Sequence, residues 1–229
     1  MTGKILCLWR ERGVHAVDWE SATRELAARD PALGALMERV GGHRFPAGGR
    51  ESPFEALCRS ITSQQLSGKA AATIFGRFKA LYSDNGFPTP EAVLDTPHAA
   101  MRGAGLSEAK AKAIRDLAGH ATRGTIPSIV ELRRMPAEEV VERLTVVRGV
   151  GRWTVEMLLL FRLGHPDVLP VHDLVIRKGI ARLMRRRELP DPAQAFRRGE
   201  RWRPYRSVAS WYLWRAAELP PVRSRSRSP

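Results

Sequence analysis

Leu144-Thr145-Val146-Val147-Arg148-Gly149-Val150-Gly151-Arg152-Trp153-Thr154-Val155 joins one apolar helical pattern to another. Upstream, Val140, Val141 and Leu144 recur at helical spacing; downstream, Val155, Leu158, Leu159 and Arg162 define the inner face of a second helix. Two glycines flanking one aliphatic residue permit a tight turn with unusual φ and a close approach by another backbone. Val150 is the apolar plug that holds such a hairpin to a core. The helix opening at Arg152 points its first N–H groups outward, where the helix dipole favours an anion. An isolated G-x-G fits an ordinary helix–helix turn equally well. The longer pattern, Leu-x-x-Val-x-Gly-Val-Gly-Arg-Trp-Thr, shifts the reading toward phosphate.

Moving outward, the chain reads as helices separated by short turns. Asp30-Pro31 is an N-cap with proline at the first helical position; Leu33, Leu36, Met37 and Val40 form the stripe, and Gly41-Gly42 ends it. Ser52-Pro53-Phe54-Glu55 reads as a capping box, followed by Phe54, Leu57, Cys58 and Ile61 on one face. After Ser67-Gly68 a helix carries Ala71, Ile74, Phe75, Phe78, Leu81 and Tyr82, and Pro88 and Pro90 punctuate the next connection. Ser107 caps a helix through Ile114, Leu117 and Ala118. Ile5 to Trp9 and His15 to Val17 are the one candidate for a short β-hairpin, and no longer alternating run predicts a sheet. The fold class expected is all-α.

The formal charge of +14 over 229 residues favours a polyanion, nucleic acid or an acidic membrane surface. The longest apolar run, Met157 to Phe161, is far short of a membrane span, and Arg10, Glu11 and Arg12 end the N-terminal apolar stretch too early for a secretory signal. Two cysteines, Cys7 and Cys58, give no readable disulfide framework or Cys-rich metal site, so a reducing cytosol is the expected compartment. The Arg-Ser alternation in the last ten residues reads as a disordered basic tail.

Downstream of the hairpin, Gly164-His165-Pro166-Asp167-Val168-Leu169-Pro170-Val171-His172-Asp173-Leu174 is a proline-punctuated loop leading into a helix with Leu174, Ile176, Ile180 and Leu183. Asp173 suits an N-cap there. It also lies 22 residues beyond Gly151. A Gly-Val-Gly hairpin, a proline-containing loop and an aspartate at this interval resemble the helix-hairpin-helix, Gly/Pro-rich loop and Asp superfamily of base-excision DNA glycosylases. The stretches Phe54–Ser67, with its Ser63-Gln64-Gln65-Leu66-Ser67, and Trp202-Arg203-Pro204-Tyr205-Arg206-Ser207 are similar to the 3-methyladenine DNA glycosylase II branch, in its short form without an N-terminal sheet domain.

That resemblance implies two helical subdomains flanking a DNA-binding cleft. Residues 1–18 are then an N-terminal extension, 19–218 the glycosylase region with a central subdomain of about 52–165, and 219–229 the tail. It implies extrusion and excision of an alkylated purine from duplex DNA by a mechanism like that of glycoside hydrolysis, in which positive charge develops on the sugar. Asp173 would be the catalytic carboxylate that stabilises this charge and directs water. Arg148, Gly149, Gly151, Arg152 and Thr154 would hold the DNA backbone. Trp153, Met157 and Trp214 would hold the base, since an aromatic face attracts a cationic alkylpurine. Gln65 and Leu66 would be the wedge that fills the gap. Relatives that cleave the strand carry a Schiff-base lysine where this chain has Trp153, which implies a monofunctional enzyme. Two cysteines exclude the four-cysteine iron–sulfur branch.

No cofactor or protein-ligated metal is expected, although hairpins of this type often place a monovalent cation between carbonyls and phosphate. The chain departs from the pattern at His172, where relatives often have an acid, and at Met157, where some have an aromatic. The expected protein is a cytoplasmic monomer, nucleoid-associated if bacterial. Arg177, Lys178, Arg182, Arg185 to Arg187, Arg197, Arg198, Arg201, Arg203 and Arg206 supply a positive field for the search along DNA. The competing reading is a non-catalytic helix-hairpin-helix DNA-binding protein, for which the phosphate signals alone suffice. A glycosylase for oxidised or mismatched bases is disfavoured by Trp153 and the missing cysteines.

Overall fold

A computed structural model of the chain describes residues 18–42, 51–82 and 86–219. The expected hairpin near residues 5–17 and the tail from 220 onward lie outside the described residues. Those described form helices and connecting turns, with no strand among them. The chain divides into two compact units, one holding the described residues 51–82 and 86–165, the other 18–42 and 166–219.

The first unit contains α1 (Pro53–Ser63), α2 (Gly68–Lys79), α3 (Pro90–Asp95), α4 (His98–Gly103), α5 (Glu108–Thr122), α6 (Ile129–Arg134), α7 (Ala137–Leu144) and α8 (Arg152–Met157). The last continues as a π-helical stretch, Leu158–Leu163, that ends at Gly164. α5 is the central element: Ala111, Ala113, Ile114, Leu117 and Ala118 are buried along it, and it packs on α1 and α3. Small residues at three of these positions let the neighbouring helices approach. Phe75 and Phe87 stack, and Phe54 meets Phe87 edge-on, closing one end of this core.

Three expectations are corrected here. Ser52 caps α1 by accepting from the Glu55 amide, but Glu55 does not complete a capping box. Its carboxylate turns instead toward Lys79 and Arg59. Pro90 does not merely punctuate a loop; Thr89 accepts from the Ala92 amide and Pro90 opens α3. Leu81 also lies beyond the end of α2 and is exposed, because the helix closes into a turn at Ala80.

The second unit contains α9 (Trp19–Arg29), α10 (Pro31–Val40), α11 (Leu174–Leu183), α12 (Pro192–Gly199), a 3-10 turn (Glu200–Trp202) and α13 (Arg206–Ala216). Its core gathers Leu26, Leu33, Ile176, Ile180, Trp202, Tyr212 and Leu213. Asp30 sits inside it: one oxygen caps α10 through the Leu33 amide, and the other accepts from Trp202 Nε1 at 2.8 Å and pairs with Arg198. Burial opposes ionisation of this carboxyl, but the hydrogen bonds from Trp202 and Arg198, the Arg198 charge and the Leu33 amide outweigh it and hold the pKa below the ordinary range.

Candidate functional site

The hairpin is held from within the first unit. Leu144, Val147 and Val150 are buried, so Val150 is the plug expected. The Val150 amide donates to the Val147 carbonyl at 3.0 Å, and the Arg148 amide donates to Asp116 Oδ2 of α5 at 2.8 Å. Gly149 has φ +75°, and a Cβ there would stand 3.1 Å from the Ala113 Cβ. Glycine is therefore demanded twice over, by conformation and by space. Gly151 is different. It is extended, with φ −90° and ψ 168°, and a Cβ there would meet nothing within 4 Å. The unusual φ that the glycine pair permits is therefore used at Gly149 alone. Gly151 is the N-cap of α8 and offers no side-chain cap, so the N-terminal turn of that helix keeps an open approach.

The five residues assigned to the DNA backbone are not equivalent. Arg148 is exposed at the hairpin. Arg152 is engaged in a two-pronged ion pair with Glu138 of α7, at 2.9 and 2.8 Å. Glu138's hydrogen bonds outweigh the desolvation of the guanidinium and raise its pKa. Thr154 is buried, because α8 turns this position toward the core. Of the residues assigned to the base, Trp153 is 48% exposed at the start of α8 and Met157 is half-buried one turn later. Trp214, in the second unit, is partly buried against that unit's core, as is Trp211.

The Ser63–Ser67 turn links α1 to α2. Gln65 has φ +57°, a left-handed conformation uncommon for a residue with a side chain. Both Gln65 and Leu66 are exposed, so Leu66 does not belong to the core. Gln64 Nε2 donates to the Gly149 carbonyl at 2.8 Å, and Lys110 Nζ donates to the carbonyls of Thr62 and Gln64 at 2.7 and 2.8 Å. The sequence motif contains Gln64, but sequence reasoning missed Lys110 and Asp116. Gln64 was legible as a motif member, whereas nothing local marks the other two.

Within the second unit Asp173 caps α11: its Oδ1 accepts from the amides of Val175 at 2.7 Å and Ile176 at 3.0 Å. The preceding loop is fastened to α13. Ser207 donates its amide to the Pro166 carbonyl and accepts at Oγ from the Val168 amide, while Ser210 Oγ donates to the Val168 carbonyl. Arg206, nearly buried, donates to Asp167, and the Asp173 amide closes a turn on the Pro170 carbonyl at 3.0 Å. His172 is exposed, and Leu174, expected on the helix's apolar face, is 50% exposed.

Some of the C-terminal arginines expected to supply the positive field are also engaged within the protein. Arg206 and Arg203 pair with Asp167 and Glu200, and Arg198 pairs with Asp30. Arg177 and Arg182 donate to the carbonyls of Pro190 and Ala216. Cys58 is fully buried, and burial pushes its thiol pKa well up, as expected of a core residue. Among the described residues no three His, Cys, Asp or Glu side chains gather as a metal site, and no helix is long and apolar enough to cross a membrane.

Comparison with known proteins agrees with this architecture. Residues 58–204 match the model of the HhH-GPD superfamily of base excision DNA repair proteins. The chain is 40% identical over 195 residues to DNA-3-methyladenine glycosylase 1 of Schizosaccharomyces pombe, covering 85% of this chain and 86% of that protein. A solved structure of the S. pombe 3-methyladenine DNA glycosylase in complex with abasic DNA superposes with a TM-score of 0.76 at 39% identity, covering 87% of this chain and 97% of that one. A DNA-3-methyladenine glycosidase from Bacillus halodurans gives a TM-score of 0.77 at 36% identity, covering 86% and 88%. With the hairpin, the fastened loop and the capping aspartate in the superfamily's order, the chain belongs to the HhH-GPD superfamily of base excision DNA repair proteins, in its DNA-3-methyladenine glycosylase family.

Proposed function

We propose that this protein removes alkylated purines from duplex DNA by hydrolysing the N-glycosidic bond, leaving an abasic site. Asp173 carries the reading: it is a carboxylate oriented by two amides, at the aspartate of the superfamily's motif order. Cleavage builds positive charge on the sugar, and an oriented carboxylate stabilises that charge without reorganising at the moment of reaction. It also directs or deprotonates the attacking water. The backbone amides at Gly149, Gly151 and the first turn of α8 hold a phosphate with no sequence preference, assisted by Arg148. Trp153 and Met157 take the extruded base, and Gln65 and Leu66 fill the space it leaves. Trp214 keeps its assignment to the base from the resemblance alone. A monovalent cation at the hairpin would take backbone carbonyls as ligands and neutralise phosphate charge; no reaction step is assigned to it.

Trp153 supports a monofunctional reaction, because an indole cannot form the Schiff base from which strand cleavage proceeds. The buried free thiol of Cys58 suits a reducing, DNA-containing compartment, the cytoplasm, and the protein acts as a monomer. The test is incubation with duplex DNA carrying 3-methyladenine, 7-methylguanine or ethenoadenine, followed by detection of free base and alkali-labile sites. Release of free base without borohydride-trapped enzyme–DNA adduct is the expected result. DNA binding with no release from any lesion would instead identify a non-catalytic helix-hairpin-helix DNA-binding protein.

A further inference from the structure

The exposed turn at Gln65 and the hairpin at Gly149 are far apart in sequence yet directly bonded through Gln64 Nε2 and the Gly149 carbonyl. The turn is additionally gripped by Lys110, whose ammonium serves the Thr62 and Gln64 carbonyls left without helical partners at the end of α1. Gln65 keeps a left-handed backbone at φ +57° between these two anchors. Such a conformation persists where the surroundings over-determine it. The side-chain amide of Gln64 has one short bond across to the hairpin, while its neighbours Gln65 and Leu66 point no such bond inward and are exposed.

We propose that Gln64 is a positioning residue that locks the Gln65–Leu66 turn to the phosphate-binding hairpin, so that docking on the DNA backbone sets the height and angle at which Gln65 and Leu66 meet the base stack. This rests on the assignment of the hairpin to phosphate and of the turn to the wedge. The linkage carries no sequence information and does not touch the reacting atoms. It makes one rigid body of two contacts that would otherwise be set independently, so less conformational freedom is lost when both engage DNA. Gln64 therefore contributes to recognition of a gap in the stack more than to binding of intact duplex.

Two substitutions separate this from a general structural role. Gln64→Met keeps the length of the side chain and removes the donor; Gln64→Glu places a carboxylate against the Gly149 carbonyl. Amide hydrogen exchange of the free protein is measured at residues 64–67 and 147–151, together with binding to undamaged duplex and to duplex containing a tetrahydrofuran abasic analogue. Excision is measured under single-turnover conditions. For Gln64→Met, exchange should accelerate in both segments. The preference for abasic over intact duplex should fall about 5- to 10-fold, on the scale of one hydrogen bond, with little change in binding to intact duplex or in its salt dependence. Gln64→Glu should be worse than Gln64→Met in both measurements. An unchanged abasic preference, or equal weakening on both duplexes, overturns the positioning role. Failure of wild type to excise any alkylated base is a separate result: it removes the proposed function, while exchange and the two-duplex comparison still judge the linkage.

Discussion

Asp173 has two roles that substitution can take apart. Its Oδ1 accepts both the Val175 and the Ile176 amides, and an asparagine at this position retains an equivalent oxygen. Asparagine and aspartate are comparable N-caps, whereas alanine at an N-cap costs about 1 kcal/mol. In a chain of this size about 1 kcal/mol moves Tm by roughly 2–4 °C. Asp173→Asn should therefore melt within about 2 °C of wild type, and Asp173→Ala should melt roughly 2–4 °C lower. Excision should order the variants differently. Both remove the negative charge beside the developing sugar cation, and such a loss is worth roughly 10²- to 10⁴-fold, or about 3–5 kcal/mol of barrier. Single-turnover release of a methylated purine, with enzyme in excess, isolates the chemical step, and binding to an abasic analogue monitors retention of the DNA interface. Asp173→Asn should lose excision while keeping stability and abasic binding. Retention of excision within about fivefold of wild type would refute the charge-stabilisation reasoning. A large Tm loss in Asp173→Asn would refute the separation of cap from charge.

Three other perturbations follow from the same contacts. Glu138→Gln should release Arg152 for phosphate, tightening binding to intact duplex about 2- to 5-fold and steepening the log K against log salt slope by about one phosphate; because the pair is exposed, Tm should move little, and unchanged affinity and slope would show that Arg152 stays out of the interface. Gly149→Ala should destabilise the fold by roughly 1–2 kcal/mol through its positive φ, with the approach to Ala113 adding to it, whereas Gly151→Ala should melt within about 0.5 kcal/mol of wild type and weaken binding to all DNA sequences alike. Equal Tm losses in the two denaturation experiments would count against this distinction. Asp30→Asn should cost roughly 3 kcal/mol at neutral pH, because it leaves Arg198 buried without its carboxylate. Since the folded pKa of Asp30 lies below the ordinary 3.8, its contribution is present above that value and is lost as pH falls through the lowered folded pKa; urea titrations of wild type and Asp30→Asn should therefore converge in that acid range, and a constant difference would contradict the assignment.

Much of the fold was legible because its signals are local. The caps at Asp30, Ser52, Ser107 and Asp173 each act within three residues, and all four are helix N-caps in the structure. The weaker local signals were missed or over-read. α9, with its Asp18 cap, passed unnoticed, and Pro90 was taken for a break although proline is equally at home in the first turn of a helix. The Ser52 capping box failed because the Glu55 carboxylate is drawn to Arg59 on its own helix and to Lys79 on α2, the second brought near only by folding.

By itself the sequence determined the all-helical class, the hairpin with its Val150 plug, the cap at Asp173 and the family, because each resides in contiguous residues or in the order of motifs. Tertiary structure decided how those residues are used. It distinguished Gly149 from Gly151, withdrew Thr154 into the core and tied Arg152 to Glu138. It also committed Arg198, Arg203 and Arg206 to carboxylates, and joined Gln64 to Gly149. The physical reason is range: caps and periodicity act over one or two turns of chain, whereas charge pairing, burial and steric room depend on residues brought together by packing.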